Sequence, residues 1–98
     1  MPEDRSAVVR LEQIPNIGKA GAADFRILGI HTPQEIVGRD PYELYAQLCQ
    51  ITAKRHDPCV IDVLISATRY MSGEPATPWW TYTAERKATI ASRTKAQG

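Results

Sequence analysis

Hydrophobic residues recur at helical spacing along most of this chain, and each recurrence predicts one buried face of an α-helix. The predicted helices cover residues 6–13, 19–28, 41–52, 57–72 and 77–93. The helix over residues 57–72 has the widest apolar stripe, so we expect it to be the central one. The last helix is only weakly amphipathic, and we expect its continuation over residues 94–98 to fray.

Helix starts are marked by prolines that follow a capping residue, in the pairs Thr32-Pro33, Asp40-Pro41, Asp57-Pro58 and Thr77-Pro78. Proline loses nothing at the first helical position, because its missing N–H would have no partner there. The Thr or Asp before it can accept hydrogen bonds from the next amides. Glu35 and Glu43 stand at the third helical position, as in a capping box. Together these signals predict an all-α chain.

The run Ile14-Pro15-Asn16-Ile17-Gly18 predicts a tight turn between two helices. Gly18 and Asn16 tolerate a positive φ, and Ile17 between them can point into the core. The turn would leave the amides of residues 16–19 at the positive end of a helix, where unpaired N–H groups suit a phosphate oxygen. We therefore interpret residues 6–30 as a helix-hairpin-helix motif that contacts nucleic acid. The alternative is a turn that only joins two packed helices.

A faint internal repeat at a spacing of 20 residues relates Ile17-Gly18-Lys19 to Val37-Gly38-Arg39. It predicts a degenerate second hairpin over residues 32–52 and, with the first, a tandem pair. The expected architecture is a single domain over residues 1–98, an all-α helix-hairpin-helix (SAM-domain-like) bundle. It would contain five or six short helices, with a C-terminal helix and a Trp-rich lid.

Composition limits the function classes. The chain has 98 residues and a net charge of +1, so a global basic field cannot drive DNA binding. Residues 79–98 are nevertheless basic, with Arg86, Lys87, Arg93 and Lys95 against Glu85 alone. No apolar run has the length of a membrane span or resembles a signal peptide, so we expect a cytoplasmic protein with no membrane partner.

Several runs resemble one family of short bacterial proteins. Besides the first hairpin they are Val37-Gly38-Arg39-Asp40-Pro41, Arg55-His56-Asp57-Pro58-Cys59 and Pro78-Trp79-Trp80-Thr81-Tyr82. The chain is similar, from about Leu11 to Lys87, to the pathogenicity-locus family, whose members are also called mitomycin resistance proteins. The resemblance implies a helix-hairpin-helix in the N-terminal half. It also implies a link to DNA damage, because mitomycin alkylates DNA.

The hairpin departs from DNA-binding motifs of its kind, which resemble Pro-Gly-Ile-Gly followed by a lysine two residues later. Asn16 replaces the first glycine, Ala20 stands at the lysine position, and the lysine is Lys19. This displaces the positive charge by about 100° around the helix. The departure weakens the DNA interpretation but leaves the amide geometry possible.

Cys59 is a candidate reactive thiol, because a helix N-terminus lowers a thiol pKa and His56 is close in sequence. Asp57 beside it opposes a thiolate, and small buried cysteines also pack well at such positions. Cys49, His56 and Cys59 lack the paired spacing of a structural zinc site, so we predict no metal and no cofactor.

Trp79 and Trp80 are candidates for partner contact. They close the core against the central helix, or one of them is exposed and stacks on a base or a protein. Adjacent helical positions point in different directions, so one can be buried while its neighbour lies on the surface.

No catalytic motif is visible, and we expect a binding module rather than an enzyme. The first hypothesis is non-sequence-specific DNA binding by Asn16, Ile17, Gly18 and Lys19, with charge from Arg39 and also from Lys54 and Arg55. The double variant Lys19→Glu with Arg39→Glu should then lose DNA binding and keep its fold. The alternative is a protein-interaction or regulatory module, including self-association, in which the hairpin is scaffold.

Overall fold

The structure, a computed structural model, describes residues 4–97, and no β-strand occurs in that range. Four α-helices carry the fold, namely α1 (Lys19–Ile27), α2 (Pro41–Thr52), α3 (Cys59–Met71) and α4 (Thr83–Gln97). Short 3-10 helices cover Leu11–Gln13, Pro33–Ile36 and Trp79–Tyr82. The prediction of an all-α chain is confirmed.

Two of the predicted caps hold their helices as expected. The Asp40 carboxylate accepts a hydrogen bond of 2.9 Å from the amide of Tyr42 at the start of α2. At the start of α3, the Asp57 carboxylate accepts one of 2.8 Å from the amide of Cys59. Each bond satisfies an amide that has no acceptor inside its own helix, and each therefore defines where the helix begins.

The other two signals, Thr32-Pro33 and Thr77-Pro78, precede 3-10 helices rather than α-helices. Thr32 and Glu35 form a capping box, but the helix that they begin ends after one turn, at Ile36. Thr77 caps nothing, and its hydroxyl donates instead to the Tyr82 hydroxyl at 3.0 Å.

The predicted helix over residues 6–13 is wrong. Only Leu11–Gln13 is helical, and as a 3-10 helix. The Gln13 side-chain oxygen accepts from the amides of Val9 and Arg10, at 2.9 and 2.8 Å, so these amides do not enter an α-helical ladder. Arg5 fixes the start of the segment, because its guanidinium donates to the carbonyls of Tyr70 and Glu74 at the end of α3.

Helix α3 is the centre of the fold, as the width of its apolar stripe predicts. Helix α2, the 3-10 helix Trp79–Tyr82 and α4 all pack against it. The main core contains Leu11, Ile14, Ile17, Ala22, Phe25, Ile30, Ile36, Leu44, Leu64, Ala67 and Met71. Five of these eleven residues lie outside the α-helices, either before α1 or between α1 and α2, so these segments contribute nearly as much to the core as the helices do.

The C-terminal segment has two parts where the sequence predicts one helix over residues 77–93. The 3-10 helix lies on α3, and α4 then continues to Gln97, beyond the predicted end. The last predicted tail residue, 98, lies outside the described residues. The aromatic side chain that closes this side of the core is Tyr82, which packs with Ile61 and Ile65, rather than either tryptophan.

A buried ion pair joins α3 to α4. The Asp62 side chain is fully buried, and it accepts from Arg86 Nε at 2.9 Å and from the Thr83 hydroxyl at 2.7 Å. The hydrogen bond to Asp62 raises the pKa of Arg86. Asp62 is therefore a buried partner of α4 rather than a solvated side chain, and Arg86 is not available to a ligand.

Candidate nucleic-acid interface at the first hairpin

The positive φ of the hairpin belongs to Asn16, at +71°, and not to Gly18. Gly18 has φ −96° and ψ −160°, an extended conformation, and it is the residue that precedes the first turn of α1. Asparagine is among the few side chains that adopt the left-handed region readily, so this turn does not need a glycine at position 16.

The Asn16 side chain also anchors the hairpin to two other parts of the fold. Its amide nitrogen donates to the Ser66 hydroxyl on α3 and to the Thr77 carbonyl, both at 2.8 Å. A glycine in this position would make neither bond. Asn16 therefore fixes the hairpin against the central helix and against the segment that leads into Trp79 and Trp80.

Ile17 is the buried plug that the sequence predicts, with 5% of its surface exposed. Its amide, however, donates to the Ile14 carbonyl at 3.1 Å and is used within the turn. The prediction that this amide faces a ligand is therefore wrong. The amides that remain for an external acceptor lie one to four residues further along the chain.

The first turn of α1 presents backbone N–H groups that the helix itself cannot satisfy. The first intrahelical bond joins the Ala22 amide to the Gly18 carbonyl, at 2.9 Å. The amides of Lys19, Ala20 and Gly21 precede it and have no carbonyl one turn earlier in the helix. Gly18 has no side chain that could cap them. They therefore lie at the positive end of the α1 dipole without the cap that α2 and α3 possess.

A cavity of about 380 Å³ opens at this turn. It is lined by Asn16, Gly18, Lys19, Ala20, Gly21 and Asp24 and by Val60 and Val63 of α3. One wall consists of helix-start backbone and the opposite wall is aliphatic. Asp24 brings one carboxylate to the same cavity, which opposes an anion, while Lys19 brings one cation.

Gly18 is not required by its own conformation or by packing within the chain. Its φ is open to any residue, and a Cβ atom placed on it would meet no other atom within 4 Å. Gly29 and Gly38, by contrast, have φ of +82° and +79°, where other residues are strained. Glycine at position 18 leaves the backbone open to close approach from outside.

The structure does not place Arg39 at the first hairpin. Arg39 lines a second cavity, of about 370 Å³, together with residues of α3 that include Thr68 and Arg69. At 100° per residue, these α3 positions point about 160° away from Val60 and Val63. The two predicted contact points therefore lie on nearly opposite sides of the central helix.

The turns that the internal repeat equates also differ in conformation. Gly38 is left-handed and Gly18 is extended. Val37 is 49% exposed, whereas its counterpart Ile17 is buried. Helix α2 begins at Pro41, two positions later than the repeat predicts from the start of α1 at Lys19.

Of the basic side chains near the C-terminus, Arg86 and Arg93 are held in ion pairs, and so is Arg69 on α3. Arg93 contacts Asp40 at 3.3 Å, and Arg69 contacts Glu85 at 2.5 Å. Within the side chains that the structure describes, no ion pair involves Lys19, Arg39, Lys54, Arg55 or Lys87, and all five are exposed. The cations open to a ligand are thus spread over the surface rather than gathered in one patch.

The two tryptophans divide as their adjacency predicts. Trp79 is half-buried, whereas Trp80 is 63% exposed. The rings meet edge to face, with centroids 5.6 Å apart and planes at 83°. The contact with Trp79 thus leaves most of the Trp80 indole in contact with water.

The thiol hypothesis is not supported by the surroundings of Cys59. A hydrogen bond with Asp57, together with burial and the charges of Asp57 and Asp62, raises the pKa of Cys59. These neighbours oppose the lowering of the thiol pKa that the helix N-terminus was expected to give. The His56 ring lies against the Thr52 hydroxyl, with Nε2 at 2.8 Å. Within residues 4–97, no three His, Cys, Asp or Glu side chains form a group that could hold a metal ion.

Two features of this region were missed by sequence reasoning. The link from Asn16 to Thr77 joins positions 61 residues apart, and no local pattern signals it. The Asp62–Arg86 pair left a weak signal, since Asp62 is a charged residue in a helix that is apolar around most of its circumference.

No helix within residues 4–97 has both the length and the apolar character that a membrane crossing needs.

Comparison with known proteins assigns the chain to a family. The chain is 40% identical over 81 residues to the mitomycin resistance protein McrB of Streptomyces lavendulae. The aligned stretch covers 83% of this chain and 77% of that relative. No solved structure matches this chain. Residues 4–88 match the family described as pathogenicity locus (Cdd1), and the chain therefore belongs to the pathogenicity-locus family.

Proposed function

We propose that this protein is a helix-hairpin-helix module that binds the phosphate backbone of nucleic acid without sequence preference. The contact is formed by the backbone N–H groups of residues 18–21 and by the Lys19 side chain. The observation that carries the proposal is the uncapped start of α1 behind Gly18, open to a cavity of about 380 Å³. The proposal describes a binding module and not an enzyme.

The physical basis is the affinity of a helix start for an anion. Unsatisfied N–H groups and the helix dipole both favour a phosphate oxygen, and the absent side chain at position 18 allows it to come close. The positive φ of Asn16 sets the turn, and its bonds to Ser66 and Thr77 hold the turn rigid. A contact prepared in this way loses little conformational entropy on binding.

The electrostatic surroundings predict weak binding. Among the residues that the structure describes, Lys19 is the one cation lining this cavity, and Asp24 opposes it. With a net charge of +1, the protein gains little from long-range attraction to DNA. We therefore expect a contact with a few phosphates, whose affinity depends steeply on salt.

The name of the relative agrees with a role at DNA. McrB is described as a mitomycin resistance protein, and mitomycin alkylates DNA. A backbone-binding module is compatible with resistance that acts on the DNA rather than on the drug.

The direct test compares two charge reversals that change the net charge equally. Lys19→Glu places a carboxylate at the hairpin cavity, and Arg39→Glu does so on the far side of α3. Loss of a charge-assisted phosphate contact should weaken binding of a fluorescent duplex about tenfold or more in Lys19→Glu, measured by anisotropy at low salt. Arg39→Glu should weaken binding much less, because Arg39 lines the other cavity, on the far side of α3.

Circular dichroism of both variants supplies the control for folding, since both side chains are exposed and no ion pair involves them in the described residues. An unchanged duplex affinity in a folded Lys19→Glu protein would exclude the hairpin as the contact.

A second candidate function is a protein-interaction module with the hairpin as scaffold. The ion pairs of Arg69, Arg86 and Arg93 favour it, because they remove much of the basic surface that a DNA-binding protein would use. Static light scattering tests its self-association form, which requires a mass above that of the monomer.

A further inference from the structure

We propose that Trp80 stacks on an unpaired base while the start of α1 holds a phosphate of the same strand, so that the protein prefers single-stranded nucleic acid to duplex. This inference rests on the proposed backbone contact and adds the class of nucleic acid. It is carried by Asn16, which ties the hairpin to the segment that displays Trp80.

One hydrogen bond brings the hairpin and the segment of Trp80 together. The side-chain amide nitrogen of Asn16 lies 2.8 Å from the Thr77 carbonyl, and Trp80 follows Thr77 by three residues. Three Cα steps span at most about 11 Å. The indole therefore lies within reach of a strand whose phosphate occupies the hairpin cavity, a few nucleotides away.

The Trp80 indole is exposed to solvent rather than packed in the core. Trp80 is 63% exposed, and its contact with Trp79 is edge to face. An edge-to-face contact orients the outer ring and leaves a face for another flat group. Burying that face costs little conformational entropy, because a tryptophan side chain has only two rotatable bonds.

The surroundings of Trp80 favour a base over an apolar protein segment. Exposed Thr81 and half-buried Thr83 follow it in the chain, and exposed Lys87 lies seven residues after it in the helix that continues this segment. An amphipathic helix needs a continuous apolar groove, whereas a base needs one aromatic face with a cation nearby. In duplex DNA the bases are stacked on each other, so only an unpaired base can use this face.

The experiment measures the affinities of three probes for the full chain and for Trp80→Ala. The probes are a short oligothymidylate, an abasic strand of equal length and a duplex. Stacking on one base predicts that Trp80→Ala binds oligothymidylate about five- to a hundredfold more weakly, with abasic and duplex affinities unchanged. Trp80→Phe, which retains a ring, should recover most of the difference. Oligothymidylate should quench the tryptophan fluorescence of the full chain and not that of Trp80→Ala.

The outcomes separate the two claims. Equal affinity of wild type and Trp80→Ala for oligothymidylate, with Lys19→Glu still weakened, would overturn the stacking and leave the backbone contact standing. Absence of binding to all three probes at low salt would overturn both. A Trp80→Ala protein that changes from oligomer to monomer without change in oligothymidylate affinity would assign the indole to a protein contact instead.

Discussion

At the scale of single residues, Gly18 is where helix stability and the proposed contact conflict. Serine, threonine, aspartate and asparagine cap helices by accepting from the amides of the first turn. Asp40 and Asp57 do so for α2 and α3, and α1 has no such group. A capping hydroxyl at position 18 would satisfy the amides that we assign to a phosphate. The glycine thus leaves α1 slightly less stable and its first turn open.

Gly18→Ser should therefore raise stability and lower affinity together. The extended backbone at position 18 accepts a side chain, and a Cβ there meets nothing within 4 Å, so the serine can cap α1. We expect a gain of a few tenths of a kcal/mol in the free energy of unfolding by urea, and weaker binding of a duplex. Gly38→Ala is the contrasting control: its φ of +79° predicts loss of stability without a specific loss of binding. A Gly18→Ser protein with unchanged duplex affinity would contradict the assignment of the amides.

At the scale of elements, sequence reasoning succeeded where local signals decide the structure. The apolar stripe of α3 and the caps at Asp40 and Asp57 are local, and both were found. The helix predicted over residues 6–13 does not form, because the Gln13 side chain accepts hydrogen bonds from the amides of Val9 and Arg10. Hydrophobic periodicity does not reveal these bonds. At the candidate site, the turn and the buried Ile17 were predictable. The free amides and the position of Arg39 depend on three-dimensional packing and were not.

The junction between α3 and α4 depends on the Asp62–Arg86 pair. Removing Asp62 leaves the Arg86 guanidinium nearly buried without a counter-charge, since 11% of its side chain is exposed. Asp62→Ala should therefore lower the free energy of unfolding by about 3 kcal/mol or more, measured by urea denaturation. Glu85→Ala breaks the exposed contact with Arg69 and should cost about 0–1 kcal/mol. Equal losses in the two variants would show that burial of the pair contributes nothing.

At the scale of the whole molecule, charge is arranged to favour the fold more than to attract a polyanion. The basic side chains Arg69, Arg86 and Arg93 are held by carboxylates on neighbouring helices, and the net charge is +1. Attraction to nucleic acid must then come from one local contact, where the α1 amides, Lys19 and the nearby Trp80 act on the same strand. A protein of this kind should bind few phosphates and should respond to ionic strength in proportion to that small number.

A salt titration of the affinity for a duplex and for its matching single strand, in wild type and in Lys19→Glu, tests whether the hairpin contacts phosphate. We predict measurable binding at low salt, with log K falling by roughly two to four units per log unit of salt on the duplex. Lys19→Glu should reduce that slope by about one. Absence of binding to either nucleic acid at low salt, or a wild-type slope near zero, would contradict the assignment of the hairpin as a phosphate contact.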